Sequence, residues 1–331
     1  MNELFMILLI VLLTLDIVNG IKSIIELYRS KRNKDVVTGS DFCNSDPVLE
    51  TLEKGKINSI REFNAKQATQ ECIDWIRDWF DKNGKDCNAI VGISGGKDST
   101  IVASLCVQAL GKDRVIGVLM PNGVQADIED SKKVCELLGI KNYTVNINDA
   151  FAFLQNSVEI GFENAGDKVP VTDQSVINLP PRLRMTTLYY IAQRLNGRVA
   201  NTCNFSEEYV GYSTRWGDSC GDFAPLSNFT VTEVLAIGDE LGLPYYLVHK
   251  TPSDGLCGKT DEDNLGVSYA MIDTVIRGVP AEDSETQLAV ERISKLHRST
   301  EFKRRPIASF DYYTNYTKIK MTEKIEIKSE L

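Results

Sequence analysis

The 331-residue chain has few of the residues that build common metal and redox sites. Its two histidines, His249 and His297, are too few for histidine-rich metal chemistry. Eight cysteines stand at positions 43, 72, 87, 106, 135, 203, 220 and 257, with no Cys-x-x-Cys among them. That spacing excludes the usual zinc and dithiol frameworks and suits reduced cytosolic thiols. Positive charge is also short, with 37 Lys and Arg against 46 Asp and Glu and a net charge of −9. A polyanion needs a basic face, so nucleic acid is not an expected partner. The dinucleotide fingerprint Gly-x-Gly-x-x-Gly is missing from the chain's main glycine-rich loop, and no internal repeat or low-complexity tract is visible. What remains is ordinary globular composition, 43% apolar and 25% charged, in a chain long enough for one sizeable core.

The N-terminus holds the one long apolar run. Leu4 to Val18 is interrupted only by Thr14 and Asp16. It is shorter than the roughly 20 residues a helix needs to span a bilayer. No Lys or Arg precedes it, unlike a signal peptide, whereas Lys22, Arg29, Lys31, Arg32 and Lys34 follow it. Residues 1–35 therefore read either as a membrane anchor or interfacial helix, touching the membrane through residues 4–18, or as an extension with no membrane role. The basic flank would keep the following domain cytoplasmic. Residues 36–59 read as a linker, 60–315 as the globular domain and 316–331 as a polar tail.

The most informative stretch is Gly92-Ile-Ser-Gly-Gly-Lys-Asp-Ser99, which follows the apolar run Ala89-Ile90-Val91. Helically spaced apolar residues come next: Ile101, Val102, Leu105, Val107 and Leu110. Glycines let backbone N–H groups approach an anion, and the helix N-terminus adds partial positive charge. The octet thus predicts a phosphate cradle at the end of a parallel strand. It is not the common P-loop, because Val91 stands in place of the first Gly and Asp98 in place of the Ser/Thr. A second near miss, Gly258-Lys259-Thr260 with Ser253 at the first-Gly position, has no strand running into it. Asp98 is the unusual member, since a carboxylate beside phosphates calls for a metal ion.

Around the octet, helical and strand patterns alternate. A helix over Ala65–Asn83 leads to a strand over Ala89–Ile93 and a helix over Thr100–Leu110. Strand Val115–Met120 precedes helix Asp127–Leu138, and strand Tyr143–Ile147 precedes helix Ala150–Ile160. A helix near Arg182–Leu195 leads to strand Val199–Thr202. This pattern predicts an α/β fold, a doubly wound parallel sheet flanked by helices. Ligands in such sheets sit at the carboxyl ends of strands, where the octet and Thr202 both fall.

The run Ser94-Gly-Gly-Lys-Asp-Ser99 closely resembles the pyrophosphate loop of the ATP pyrophosphatase superfamily, whose fold is adenine nucleotide alpha-hydrolase-like. Its members adenylate a substrate oxygen and release pyrophosphate. Later segments narrow the resemblance: Asn178-Leu-Pro-Pro-Arg182-Leu-Arg184-Met185; Asn201 through Asp218; Asp222-Phe-Ala-Pro-Leu226; Lys250-Thr-Pro-Ser253-Asp-Gly-Leu256; Thr260 through Gly266; and Lys303-Arg304-Arg305-Pro306. In this order they resemble the ammonia-dependent NAD synthetases, over roughly Ile60 to Tyr313.

The resemblance implies ATP-dependent amidation of deamido-NAD by ammonia, giving NAD, AMP and pyrophosphate through an adenylated nicotinate carboxylate. It implies ATP contacts from Gly92, Ile93, Ser94, Gly95, Gly96, Lys97, Asp98, Ser99, Thr202 and Ser253. Lys97 and Asp98 would act in catalysis. Asp98 and Glu207 would ligate magnesium, and Arg182, Arg215, Asp222 and Lys303 would hold deamido-NAD. A homodimer is implied as well. Only about 60 residues precede the domain, too few for the glutaminase domain of some relatives, so free or partner-supplied ammonia is the expected nitrogen donor. The chain departs from the family's common residues at Val231 and Phe302, where many members carry Lys and His, and at Arg215, which replaces a common Lys. Two other readings stand beside this one: another adenylating enzyme such as a tRNA-thiolating enzyme, and a membrane-tethered nucleotide-binding regulator that has lost its chemistry.

Overall fold

The computed structural model describes residues 62–125, 128–250, 260–278 and 284–310. The N-terminal segment, the linker, the polar tail and Ser253 lie outside them. Among the described residues no helix is long and apolar enough to cross a membrane.

Helix α1 (Ala65–Asn83) is capped by the Asn64 side chain, which accepts from the Gln67 N–H. Strand β1 (Asn88–Gly92) follows, then helix α2 (Lys97–Leu110), strand β2 (Val115–Leu119), helix α3 (Ile128–Leu138) and strand β3 (Lys141–Thr144). Helix α4 (Asn148–Ala165) and the long helix α5 (Asp173–Arg194) lead to strand β4 (Gly197–Val199). The sheet has order β3-β2-β1-β4, and every pairing is parallel. The chain builds outward from β1 through β2 to β3 and then crosses back to place β4 on the other side of β1. The topological switch point therefore lies between the carboxyl ends of β1 and β4.

Strand periodicity sorts β1 between two cores. Ala89, Val91 and Ile93 face a cluster that includes Ile76 and Phe80 of α1 and Ile101 and Leu105 of α2. Ile90 points the other way, to Met185, Leu188 and Ala192 of α5. A strand buried on both faces reads as a continuous apolar run, as Ala89-Ile90-Val91 does. Seven further helices follow: α6 (Phe205–Val210), α7 (Val231–Glu240), α8 (Tyr245–Val248), α9 (Asp261–Leu265), α10 (Tyr269–Ile276), α11 (Ser284–Ser299) and α12 (Glu301–Arg304), and a third core lies among α6, α7, α9, α10 and α11. Tyr209, Val210, Leu265, Tyr269, Ile272 and Ile293 are buried together there.

Three boundaries differ from the sequence expectation in ways that matter. Helix α2 starts at Lys97, so Lys97, Asp98 and Ser99 belong to its first turn and not to the loop. Helix α5 starts at Asp173, well before Arg182, because Thr172 and Ser175 form a reciprocal cap there. The Pro180-Pro181 pair, which reads as a helix start, lies inside it. Strand β4 ends at Val199: the Ala200 N–H still donates to the Ile90 carbonyl at 2.9 Å, but the Asn201 N–H donates to the Phe223 carbonyl at 2.8 Å. Thr202 thus sits in the loop beyond the strand.

Candidate active site

The loop Ile93–Gly96 joins β1 to α2 at the switch point. Gly95 adopts φ +79°, which disfavours any side chain, and an added Cβ would lie 3.0 Å from the Ser131 backbone nitrogen. Gly96 is the N-cap of α2 and supplies no side-chain cap. The first-turn N–H groups of α2 are therefore open to an external acceptor. Two hydroxyls brace the loop: Ser94 and Ser99 Oγ lie 3.0 Å apart, and the Gly96 N–H donates to Ser94 Oγ at 3.2 Å.

Asp98 and Glu207 reach the same place from opposite sides of the switch point. Asn204 caps α6 in a capping box with Glu207: the Glu207 N–H donates to Asn204 Oδ1 at 3.0 Å, and the Asn204 N–H to Glu207 Oε2 at 3.3 Å. The Asn204 amide then donates to Asp98 Oδ1 at 3.1 Å. One fully buried side chain thus ties the phosphate loop's carboxylate to that of α6. Asn204 carries no role in the sequence reading, though Asn-x-x-Glu is legible as a capping box.

The electrostatics of this cluster are strained toward negative charge. Burial, and then the Asp98 carboxylate, push the Glu207 carboxyl up to about 8, against the pull of Lys97 and the Asn204 N–H. Lys97 is 5% exposed and donates to Asp98 Oδ2 at 2.8 Å. Burial alone would pull its ammonium down, but Asp98, Glu207 and Asp261 together hold it above its ordinary range. Asp261, buried at the start of α9, is a further acid that the sequence reading quoted within a motif and gave no role. Among the described residues no group of three or more His, Cys, Asp or Glu side chains could hold a metal by itself. Two carboxylates with hard oxygens are nonetheless the donor set Mg²⁺ uses when waters and phosphates complete its shell. Asp98 and Glu207, both bonded to Asn204 beside the uncapped start of α2, fit the ion by that chemistry.

A second cluster brings together three of the four residues assigned to the dinucleotide. Arg182 Nε, on α5, donates to the Arg215 carbonyl at 3.3 Å. Lys303 Nζ, on α12, donates to the carbonyls of Gly211 and Ser213, each at 2.7 Å. Burial lowers the Lys303 ammonium's pKa, Asp218 opposes that, and Arg304 and Arg182 add to it. Arg304 also donates to the carbonyls of Glu208 and Tyr209 at 3.0 and 3.2 Å, closing the C-terminus of the helix that carries Glu207. Asp222 has a different neighbourhood. Its carboxylate accepts from the Val199 N–H at 2.7 Å and from the Tyr189 hydroxyl at 3.2 Å. Thr202 is half-buried beyond β4. Val231 is buried at the first turn of α7, its N–H donating to Ser206 Oγ at 3.0 Å, so no cation stands there.

A parallel α/β sheet with an uncapped helix and a carboxylate pair at its switch point, and a further cluster of arginine and lysine, has the make-up of a nucleotide-binding enzyme. Comparison with known proteins is more specific. Residues 68–307 match the NAD synthase family. The NH3-dependent NAD+ synthetase of Pyrococcus furiosus is 37% identical over 257 residues, covering 74% of this chain and 95% of that protein. The NH3-dependent NAD+ synthetase of Methanocaldococcus jannaschii is 37% identical over 243 residues, 69% of this chain and 90% of that one. Among solved structures, an NMN synthetase from Francisella tularensis superposes with a TM-score of 0.68 at 31% identity, over 76% of this chain and all of that one. The chain belongs to the NAD synthase family. It is a ligase forming a carbon–nitrogen bond, and the tRNA-thiolating alternative is not favoured.

Proposed function

We infer that the two clusters serve the two halves of one ligase reaction. The chain amidates deamido-NAD with ammonia at the expense of ATP. The nicotinate carboxylate oxygen attacks the α-phosphorus of ATP, the α–β phosphoanhydride bond breaks, and pyrophosphate leaves. Ammonia then adds to the acyl carbon, loses a proton, and AMP departs with the former carboxylate oxygen.

The phosphate end of ATP rests on the amides of Gly92 to Ser99 and the start of α2, with Thr202 and Ser253 as further contacts. Lys97 faces the leaving pyrophosphate. Arg182, Arg215 and Lys303 hold the anionic groups of deamido-NAD, with Asp222 as a fourth contact. Asp98 and Glu207 hold Mg²⁺, which when bound offsets the charge that gathers on the phosphates. The observation that carries this reading is the Asn204 bridge, which puts Asp98 and Glu207 side by side next to an uncapped helix. Pyrophosphate release with ATP, Mg²⁺, deamido-NAD and ammonium tests it. Asp98→Ala at full rate would contradict it. Efficient use of glutamine by the pure chain would overturn the choice of nitrogen donor.

A second reading concerns substrate size. The likeness to the Francisella protein favours a mononucleotide, nicotinate mononucleotide, as the acceptor of ammonia. The ratio of kcat/KM values for the two acceptors decides between them.

We also propose a homodimer. None of the residues of α4 is buried, yet Phe153 is 76% exposed, and Leu154, Val158 and Ile160 on the same helix are exposed too. An apolar face of this kind suits a second copy. The six described cysteines are free thiols, which supports a cytoplasmic location.

A further inference from the structure

Arg215 lies in an unusual setting. Its guanidinium carbon is 4.8 Å from the centre of the Trp216 ring and 5.6 Å from that of Phe302. Its Nε is buried with no hydrogen-bond partner, and among the described residues nothing pairs with the rest of the guanidinium. Both rings are more than half exposed, Trp216 at 53% and Phe302 at 57%. Large exposed aromatics beside a half-buried guanidinium whose Nε has no partner have no packing role that explains them.

The backbone shows how firmly this arrangement is fixed. Thr214 to Gly217 form a turn in which the Gly217 N–H donates to the Thr214 carbonyl at 2.9 Å. Trp216, third in that turn, adopts φ +65°, a conformation that normally calls for Gly or Asn. The turn is pinned on both sides. Thr214 Oγ1 donates to Asn178 Oδ1 at 2.8 Å, and the Thr214 N–H to Asp218 Oδ1 at 2.8 Å. Arg182 Nε holds the Arg215 carbonyl. Phe302 comes from the far end of the chain on α12, whose neighbouring Lys303 is fastened to the carbonyls of Gly211 and Ser213.

We propose that Trp216 and Phe302 are positioning residues that fix the Arg215 guanidinium with two rings and leave its N–H edge free for an anionic group of deamido-NAD. The proposal rests on the reading of Arg215 as a dinucleotide contact and adds what sets its strength. Ring contact strips water from the guanidinium without neutralising it, so its hydrogen bonds to phosphate or carboxylate cost less desolvation.

The test separates affinity from chemistry. Phe302→Leu keeps bulk and removes the ring. Trp216→Gly suits the positive φ and removes the other ring. Each is expected to raise KM for deamido-NAD by about twofold to thirtyfold, the range of one cation–π contact, with kcat and KM for ATP unchanged. Phe302→Tyr restores the wild-type KM. Calorimetric titration of deamido-NAD into the ATP-free protein should show the same loss for Phe302→Leu. An unchanged KM for deamido-NAD in both variants overturns the proposal, as does an equal loss in kcat and in both KM values. A wild-type chain that forms no NAD but still binds deamido-NAD, more weakly in Phe302→Leu, would sink the ligase reading and leave the clamp standing.

Discussion

The sheet half and the helical half of the molecule present their working groups in different ways. At the end of β1 the proposed phosphate contacts are backbone amides, placed by a strand buried on both faces and a helix of 14 residues. Across the switch point the charged groups are side chains on helices of six, five and four residues, α6, α9 and α12. Helices that short have little stability of their own. Their positions come from caps and long-range hydrogen bonds. The first half should tolerate loss of side-chain contacts and fail when its core is opened. The second should do the reverse.

The largest expected effect lies where the halves meet. Asp98→Asn removes the charge of a proposed metal ligand while keeping its shape and an acceptor oxygen, and should slow pyrophosphate release by about 100-fold to 1,000-fold, a larger effect than its change in thermal stability explains. Stability that fell with activity would erase the distinction. Ile90→Ala opens the core between β1 and α5, where Ile90 has no exposed surface. It should cost about 2–5 kcal/mol in urea unfolding and leave KM for ATP in place, because the cradle is backbone. Asn204→Ala comes next. It removes the cap of α6 and leaves Asp98 and Glu207 without their shared donor, for a loss of about 1–2 kcal/mol. Its fall in kcat should exceed what that loss of stability explains. Arg304→Ala is the smallest, about 0.5–1 kcal/mol, from carbonyls left open at the end of α6. If Arg304→Ala lowers kcat as far as Asn204→Ala does, the tail is part of the catalytic half and not a support for it.

The same contrast explains what the sequence could disclose. The strand, loop and helix around Gly92–Ser99 were legible because each is local: an apolar run, glycines, then helical spacing. The alternation around them was sufficient for a doubly wound sheet. Segment ends were less legible where a distant partner decides them. Phe223 takes the Asn201 N–H, and the cap at Thr172 outruns the Pro180-Pro181 signal. In the site, Asp98 and Glu207 came from resemblance, and geometry added Asn204, which ties Asp98, 106 positions before it, to Glu207. Arg182, Arg215 and Lys303 gather in one cluster, whereas the contacts of Asp222 are to β4 and Tyr189. The approach of Phe302 to Arg215 depends on how α12 docks, which no local pattern contains.

The central claim is that this site activates a nicotinate carboxylate by transferring AMP to it. Deamido-NAD labelled with ¹⁸O in that carboxylate tests it most directly. Turnover with ATP, Mg²⁺ and ammonium should yield AMP carrying one labelled oxygen on its phosphate, and unlabelled pyrophosphate. Label found in pyrophosphate, or NAD formed with AMP free of label, would contradict the account.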